Sequence, residues 1–432
     1  MDHSVDRRGF LGQIAAAGTA LALGTRADAQ QLTRDVPGAP KAPDGQVLKA
    51  GLIGCGGRGR GAMINFLDAG PNLQLTALAD LFPDRLEAAR QQLKADKGIE
   101  VPANKCFTGF DAYQKLIDSA VDVVLNCTPP HFRPMHFAAC VEAGKHCFLE
   151  KPLGVDAVGV RSVLATSEKA SSKGLAVMTG TQLRREIPRM EIRNRVIDGA
   201  IGDILSARAF RNQGALWYRQ RQAGWSDMEY MVRDWVNWTW LSGDHIVEQH
   251  IHHLDAMLWV LGAPPIKAVG MGAHLRRPTG DQYDFFSVDY EFENGVHLHS
   301  TIRQLSGCSN MRDETFVGTK GTASLDKALI LDRSGKVIYK HEGEANDAVV
   351  QEHADFVTSI RAGKPVNAVK PTAMATLMAI MGRESAYTGK VVTWQETMAS
   401  DQRLGPMTYN LGPVDMAAKA PVPGMDAEPI TN

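Results

Sequence analysis

One glycine-rich segment has the spacing of a turn that binds a dinucleotide. It reads Gly54-Cys55-Gly56-Gly57-Arg58-Gly59 and lies between an apolar run, 48–53, and a stretch compatible with a helix. In the pattern G-x-G-x-x-G, the first glycine permits a tight turn and the second lets the backbone approach a pyrophosphate. The third lets the helix pack on the strand, and the helix N-terminus offers N–H donors to phosphate. The segment therefore predicts a nucleotide site, with a flexible loop as the alternative.

A second apolar run, 73–79, ends at Asp80, where dinucleotide-binding folds place an acid. A carboxylate at this position binds the ribose hydroxyls of NAD and repels the 2′-phosphate of NADP. A merely flexible loop leaves this acid unexplained. We therefore predict NAD, in preference to NADP, and these ligands for it: Gly54, Gly56, Gly57, Arg58, Gly59 and Asp80.

The densest group of titratable residues lies at 244–255, which holds four histidines and three acids in twelve residues. If this segment is a helix, Glu248, His252 and Asp255 share one face. A proton relay needs only Glu248 and His252, and we favour that interpretation. A structural helix and a metal site are the alternatives, because histidine and carboxylate four apart also bind zinc. The segment has no H-E-x-x-H pattern, and we predict no metal.

Five of the seven tryptophans lie within residues 214–243, together with several arginines. We call residues 214–243 the tryptophan-rich segment. Tryptophan faces stack on the C–H surfaces of sugars, while arginine and acid side chains bind hydroxyls. An aromatic core or an oligomer contact explains the composition equally well. We expect the segment to serve both purposes, and Trp217, Tyr218 and Trp225 are its candidate substrate contacts.

Alternating strand and helix patterns from residue 47 to residue 179 predict a doubly wound parallel sheet. Ligands of such sheets bind at the carboxyl ends of the strands. Four segments distant in sequence follow predicted strands and therefore converge on one crevice: 54–59, 80, 128–131 and 150–152.

Beyond residue 176 the pattern changes to strands in series, with hairpin signals such as Glu293-Asn294-Gly295. This pattern predicts an open, largely antiparallel sheet. The predicted fold class is α/β, with an N-terminal Rossmann sheet and a C-terminal α/β domain. The predicted divisions are a signal peptide at 1–29, a linker at 30–46, an NAD-binding domain at 47–175, a substrate-binding and oligomerisation domain at 176–395, and a C-terminal extension at 396–432.

The N-terminus resembles a twin-arginine export signal. Arg7 and Arg8 precede the apolar Phe10, an Ala/Gly-rich stretch runs from 14 to 24, and Ala27-Asp28-Ala29 has the form of a cleavage site. An amphipathic or disordered tail is the alternative. Twin-arginine signals carry folded proteins, often with their cofactor bound. We therefore predict export by this machinery to the periplasm.

Composition narrows the class of protein. A chain of 432 residues suggests two domains, and 44% hydrophobic with 22% charged residues is typical of a soluble globular protein. A net charge of −1 and the lack of a basic stripe argue against nucleic acid as a partner. No apolar run is long enough for a transmembrane helix in the mature chain.

With these segments in view, the chain resembles the Gfo/Idh/MocA family, the superfamily of glucose-fructose oxidoreductase and inositol dehydrogenase. The resemblance spans residues 47–394. It rests on the glycine turn with Asp80, on Thr128-Pro129-Pro130-His131, on Glu150-Lys151-Pro152, on Glu248 with His252 and Asp255, and on the C-terminal segments 356–365 and 385–390. It implies a Rossmann domain, a second domain whose open sheet commonly forms oligomer contacts, a homodimer or homotetramer, and oxidation or reduction of sugars, inositols and related polyols.

The resemblance also implies roles for single residues. Lys151 matches the family's catalytic lysine, and Glu248 and His252 fall where the family usually has Asp and His four apart. Glutamate in place of aspartate lengthens that arm by one methylene, and His250 and His253 are additional histidines without an assigned role. The remaining implied cofactor contacts are Thr128, Pro129, His131, Glu150, Lys151 and Gln182, and the implied substrate contacts are Lys151, Arg184, Trp217, Tyr218, Trp225, Glu248 and His252.

Oxidation of a secondary alcohol needs an acceptor for the hydride and an acceptor for the hydroxyl proton. NAD provides the first, and Lys151 or His252 provides the second. Export makes loss of a free cofactor costly, so we predict a tightly held nicotinamide and a redox-neutral cycle on a sugar, polyol or glycoside. The alternative is an NAD-dependent glycoside hydrolase that oxidises, eliminates, adds water and reduces again. A protein that binds sugar or NAD without catalysis is the third class, and retention of Lys151 and His252 argues against it.

Overall fold

The computed structural model describes residues 32–415 and 419–425. The predicted signal peptide, 1–29, lies outside these residues, as does the start of the predicted linker. Within the described ranges, no helix is long and apolar enough to cross a bilayer.

The first sheet is parallel and doubly wound, with strand order β3-β2-β1-β4-β5-β6. Its strands are β1 (Leu48–Ile53), β2 (Leu73–Asp80), β3 (Cys106–Thr108), β4 (Val123–Asn126), β5 (His146–Leu149) and β6 (Val177–Thr179). The helices between them are α1 (Gly57–Asp68), α2 (Pro83–Lys97), α3 (Ala112–Ile117), α4 (Arg133–Glu142) and α5 (Ala157–Ser172). This is the predicted Rossmann sheet, and β6 carries it past the predicted division at residue 175.

The second sheet has nine strands in the order β14-β13-β12-β11-β7-β10-β9-β8-β15, and only β7 and β10 pair in parallel. Its strands are β7 (Ile204–Gln213), β8 (Lys267–Ala273), β9 (Phe285–Glu291), β10 (His297–Gln304), β11 (Met311–Gly318), β12 (Gly321–Ser324), β13 (Leu329–Asp332), β14 (Val337–Lys340) and β15 (Val392–Thr393). The remaining helices are α6 (Ile187–Ile197), α7 (Asp227–Arg233), α8 (Thr239–Ser242), α9 (His245–Glu248), α10 (Ile251–Leu261), α11 (Ala348–Arg361), α12 (Val369–Thr388) and α13 (Trp394–Ala399). The predicted fold class is confirmed.

Helix α12 joins the two halves of the molecule. It packs against α5 of the first sheet and against β8 and α10 of the second. Arg383 of this helix is fully buried and donates hydrogen bonds to the carbonyl oxygens of Val155 at 2.7 Å and Gly243 at 2.9 Å. These carbonyls lie shortly after Lys151 and shortly before α9, so one buried guanidinium ties together the loops that carry the predicted catalytic residues.

The acid–histidine segment, 244–255, is a broken helix and not the single helix on which a shared face for Glu248, His252 and Asp255 depends. Helix α9 ends at Glu248 and α10 begins at Ile251. The main-chain oxygen of His245 accepts N–H bonds from both Gln249, at 2.9 Å, and His250, at 3.0 Å. The bond from five residues ahead widens the turn, a distortion that is frequent at functional sites. Glu248 and His252 therefore belong to different helices.

Candidate active site

The glycine turn has the geometry that a dinucleotide requires. Gly54 has φ of +92°, and a Cβ there would lie 2.8 Å from the backbone of Cys127. A Cβ on Gly59 would lie 1.9 Å from the carbonyl oxygen of Gly54, so only glycine lets α1 approach this closely. A Cβ on Gly56 or Gly57 would meet no protein atom within 4 Å. The turn thus leaves open space at the N-terminus of α1, as a bound pyrophosphate needs.

Asp80 ties the end of β2 to this turn. Its carboxylate accepts hydrogen bonds from the main-chain N–H of Cys55 at 2.6 Å and of Phe82 at 2.8 Å. Burial raises the pKa of this carboxyl, and the two N–H donors act in the opposite direction. The side chain is thus fixed beside the glycine turn, in the place where ribose hydroxyls bind in Rossmann folds.

A cavity of about 670 Å³ lies between the carboxyl ends of the parallel strands and the second domain. The size suits a ligand of several hundred daltons. The predicted site residues that line it are Gly54, Gly56, Gly57, Arg58, Gly59, Asp80, Thr128, Pro129, Glu150, Lys151, Trp217, Glu248 and His252. The structure therefore brings the three predicted catalytic residues, and all the predicted cofactor residues except His131 and Gln182, to one cavity.

Lys151 and Glu248 form a buried ion pair across the two domains. Lys151 Nζ donates to Glu248 Oε1 at 2.8 Å and to the main-chain oxygen of Glu248 at 2.6 Å. The two side chains are 10% and 7% exposed. Burial alone raises the pKa of Glu248, but the charge of Lys151 and the hydrogen bonds from Lys151 and Gln249 hold it below its ordinary value. The carboxylate is therefore ionised at neutral pH and orients the ammonium group.

His252 is neutral at neutral pH. Burial, together with the charges of Lys151 and Arg211, lowers the pKa of its imidazole well below the ordinary value. Its Nδ1 is buried and has no hydrogen-bond partner among residues 32–415 and 419–425. A neutral imidazole in the wall of the cavity is able to accept a proton.

The turn that carries Lys151 is fixed by hydrogen bonds before and after the lysine, at Glu150 and at Pro152. The buried carboxylate of Glu150 accepts from Arg58 Nε at 2.5 Å and from the main-chain N–H of Lys151 at 3.1 Å. Arg133 donates to the carbonyl oxygen of Pro152 at 2.6 Å, and the peptide bond between Lys151 and Pro152 is cis. The glycine turn and Lys151 are thus linked through the side chains of Arg58 and Glu150.

Two family models match the chain. Residues 48–180 match an oxidoreductase family with an NAD-binding Rossmann fold, and residues 190–324 match the GFO/IDH/MocA C-terminal domain. Together these matches cover more than half of the 432 residues. The chain belongs to the Gfo/Idh/MocA oxidoreductase family. The predicted enzyme class and the NAD-binding domain are confirmed.

Individual relatives within the Gfo/Idh/MocA family are distant. A scyllo-inositol 2-dehydrogenase (NAD(+)) of Bacillus subtilis is 23% identical over 329 residues, which make up 73% of this chain and 87% of the relative. A glycosyl hydrolase family 109 protein of Shewanella amazonensis is 30% identical over 212 residues, 48% of this chain and 45% of the relative. The crystal structure of scyllo-inositol dehydrogenase from Lactobacillus casei with bound NAD(H) and scyllo-inositol shares the fold, with a TM-score of 0.62 and 20% identity over 81% of this chain and 99% of that one.

Five residues that the family resemblance assigned to the site are not among the residues lining the cavity: His131, Gln182, Arg184, Tyr218 and Trp225. Arg184 Nε and Nη2 donate to the two carboxylate oxygens of Asp255 at 2.7 and 2.9 Å. This pairing engages the guanidinium that the resemblance assigns to substrate, and it gives Asp255 a partner other than His252. His131 lies just behind the wall, with its Nε2 2.8 Å from the hydroxyl of Tyr409.

The tryptophan-rich segment divides between core and cavity. Trp238 and Trp240 are buried in an aromatic and aliphatic cluster against Phe82 and Phe132. Trp217 and Trp235 line the cavity. The core interpretation therefore holds for Trp238 and Trp240, while contact of Trp217 with a sugar stays a prediction.

The two histidines without an assigned role, His250 and His253, are buried and contact other side chains of the second domain. His250 Nε2 lies 2.7 Å from Ser300 Oγ, and His253 Nδ1 bonds Glu314, which also pairs with the buried Arg189. Burial lowers the pKa of both imidazoles, so they are neutral at neutral pH. In the described part of the chain, no group of three or more His, Cys, Asp or Glu is placed to hold a metal ion.

Several lining residues escaped the sequence analysis. Gln249 donates to Glu248 Oε2 and accepts from Arg211 Nη2 at 3.2 Å, so it links the carboxylate of Glu248 to a half-buried arginine. Arg133 and Tyr409 also line the cavity. Gln249 directly follows the predicted Glu248, and this position is a signal by which it could have been found. Tyr409 had no sequence signal, because it comes from the C-terminal extension.

Proposed function

We propose that the protein is an NAD-dependent oxidoreductase that acts on a secondary alcohol of a sugar, polyol or glycoside. One observation carries this proposal: the buried Lys151–Glu248 pair and the neutral His252 share a cavity with the glycine turn. Binding of a nucleotide alone requires neither an ammonium group fixed at 2.8 Å from a carboxylate nor an imidazole in the wall of the same cavity. Proton transfer from a hydroxyl requires groups of both kinds.

A bound nicotinamide supplies the acceptor for the hydride that leaves the alcohol carbon. Lys151 and His252 divide the remaining work at the hydroxyl oxygen. We assign the hydroxyl proton to the imidazole of His252, which lines the cavity and is neutral before it accepts the proton. Lys151, positioned by Glu248, then stabilises the oxygen as negative charge develops on it. In the reverse direction the reduced nicotinamide returns the hydride to the carbon, and His252 returns the proton to the oxygen. A carbohydrate would be held by Lys151, Glu248 and His252, with the face of Trp217 beside it.

We propose NAD, tightly held, over NADP, because Asp80 is fixed by two main-chain donors beside the turn. After extensive dialysis the purified protein is expected to keep a nicotinamide absorbance. A panel of sugars, inositols and glycosides should include one that raises the absorbance of reduced cofactor. Titration of the stripped protein with NAD and NADP tests the preference. If the purified protein contains no nicotinamide and turns over only with added cofactor, the proposal of a tightly held cofactor is refuted.

A glycoside hydrolase that works through transient oxidation is the second candidate. It is favoured by the similarity to the family 109 glycosyl hydrolase protein, 30% identical over 212 residues. That similarity covers less than half of either chain, so the oxidoreductase ranks first. The same panel separates the two: a hydrolase releases an aglycone with no net change in reduced cofactor, whereas an oxidoreductase yields a keto sugar or lactone.

We propose export to the periplasm by the twin-arginine route, on the strength of Arg7 and Arg8 before an apolar stretch and Ala27-Asp28-Ala29. Replacing both arginines with lysine is expected to leave the full-length precursor in the cytoplasm. Fractionation of a producing bacterium measures this, with the unchanged signal as the control. Equal periplasmic recovery of both forms would contradict the proposal.

We also propose a homodimer or homotetramer assembled through the outer face of the second sheet. Val269, Met271 and Met311 lie on that face and are 48%, 65% and 47% exposed. Exposed apolar side chains on a broad sheet mark contact surfaces. Light scattering should give a mass at least twice that of the chain, and replacing Met271 with lysine should lower it. A monomeric wild-type protein would refute the proposal.

A further inference from the structure

A C-terminal segment connects the Rossmann domain with the tryptophan-rich segment. We call residues 404–414 the strap. At its start, the N–H of Leu404 donates to Asp156 Oδ2 at 2.9 Å. Near its end, the N–H of Val414 donates to Asp227 Oδ2 at 3.3 Å, and Gly412 accepts from the N–H of Met228 at 3.1 Å. The strap lies outside the two family models, the second of which ends at residue 324.

Tyr409 is the residue of the strap that lines the cavity. Its ring stacks on Phe110, with centroids 6.0 Å apart, and meets Phe132 edge-on at 5.4 Å. Phe110 follows β3 and Phe132 follows β4, while β2 and β1 lie between these strands. Tyr409 therefore contacts residues from both strand ends that flank Asp80 and the glycine turn.

A second contact holds the same side of the cavity. Arg233 of α7 donates through two nitrogens to Asp84, each at 3.0 Å, and its guanidinium lies 3.9 Å from the centre of the Phe82 ring. Phe82 and Asp84 directly follow Asp80 in the chain. Helix α7, to which the strap is bonded, is thus fixed on the loop after β2.

We propose that the strap retains the bound dinucleotide and that Tyr409 closes the cavity on the nucleotide side. Lys151 follows β5, and Glu248 and His252 belong to the second domain, whereas Tyr409 contacts residues that follow β3 and β4. Release of a nucleotide from the edge between β3 and β4 requires Tyr409 to leave Phe110, Phe132 and its hydrogen bond with His131. The inference rests on the proposed function only in taking the cofactor to be retained.

The test measures NADH dissociation without any carbohydrate. Protein loaded with NADH is mixed with excess NAD, and the decay of bound NADH fluorescence gives the rate constant. Tyr409→Ala is expected to raise that rate constant about tenfold, since it removes the ring contacts with Phe110, Phe132 and His131 and a hydrogen bond. Tyr409→Phe, which loses only the hydroxyl, should raise it less. Met407→Ala is the matched control, because Met407 is in the strap and 56% exposed.

Hydrogen–deuterium exchange of the wild-type protein provides a measurement that needs no variant. Binding of NADH is expected to slow exchange of the amides at 404–414. The inference would be overturned if the rate constant of NADH dissociation were unchanged in folded Tyr409→Ala. It would also be overturned if NADH did not change the rate of amide exchange at 404–414. A protein whose strap is protected by NADH, but which turns over no carbohydrate or glycoside, would refute the proposed function and leave this inference standing.

Discussion

Replacing Lys151 with methionine is expected to lower kcat by about 10³-fold, within the ~10²–10⁴ range of general acid–base groups. The ammonium group is held by two hydrogen bonds to Glu248, at 2.8 and 2.6 Å, and methionine replaces neither its charge nor its donors. NADH affinity should change far less, because the glycine turn and Asp80 remain intact. The measurements are steady-state turnover of the carbohydrate found in the panel and fluorescence titration with NADH.

The single substitution also strands Glu248 as a buried carboxylate. Loss of one partner of a buried pair costs about 3–5 kcal/mol of stability. The double variant Lys151→Met/Glu248→Gln removes both charges, so it should recover much of that stability while remaining inactive. Lys94→Met is the matched control, since the Lys94 side chain is 68% exposed. A folded Lys151→Met protein with kcat within a few-fold of wild type would show that the proton moves without Lys151.

Alanine at Gly59 is expected to lower both stability and NADH affinity, whereas alanine at Gly56 should lower affinity alone. At Gly59 the added Cβ would sit 1.9 Å from the Gly54 carbonyl oxygen, so α1 must move away from β1. Overpacking of this kind costs about 1–3 kcal/mol. At Gly56, φ is −67° and the Cβ meets no protein atom within 4 Å, so the fold tolerates it. The methyl group then occupies space that the pyrophosphate needs.

Thermal unfolding and NADH titration of the two variants measure these effects. We expect Gly56→Ala to unfold like the wild type and to raise the Kd for NADH about tenfold or more, equivalent to ~1.4 kcal/mol. Gly59→Ala should show a lowered Tm as well. NADH affinity equal to wild type in Gly56→Ala would show that the open space at the turn is not where the nucleotide binds.

Local patterns were sufficient for the Rossmann half of the molecule. The glycine turn, Asp80 and the segments after β4 and β5 were all predicted to meet, and they line one cavity. The carboxyl ends of parallel strands share one edge, so finding the strands was enough to place these residues. The antiparallel second sheet followed from strand spacing in the same way.

The substrate side was less predictable. Helical periodicity placed Glu248, His252 and Asp255 on one face, yet the helix breaks after Glu248 and Asp255 pairs with Arg184. Helical periodicity assumes that the main-chain hydrogen bonds of the helix continue without a break. It contains no information about partners from other elements. Lys151 donates a hydrogen bond to the main-chain oxygen of Glu248, and no pattern in the sequence indicates that bond.

The sequence by itself determined the family and the NAD-binding Rossmann domain, and it supplied the three residues that we propose for proton transfer. Only the tertiary structure decided which of the candidates share a cavity, which are used up in ion pairs, and that Gln249, Arg133 and Tyr409 complete its wall. The physical reason is the range of the interactions. Turns and strand ends are set by neighbours within a few residues. The contact between Lys151 and Glu248 spans 97 positions and that between His131 and Tyr409 spans 278, so both arise only when the two domains and the strap pack together.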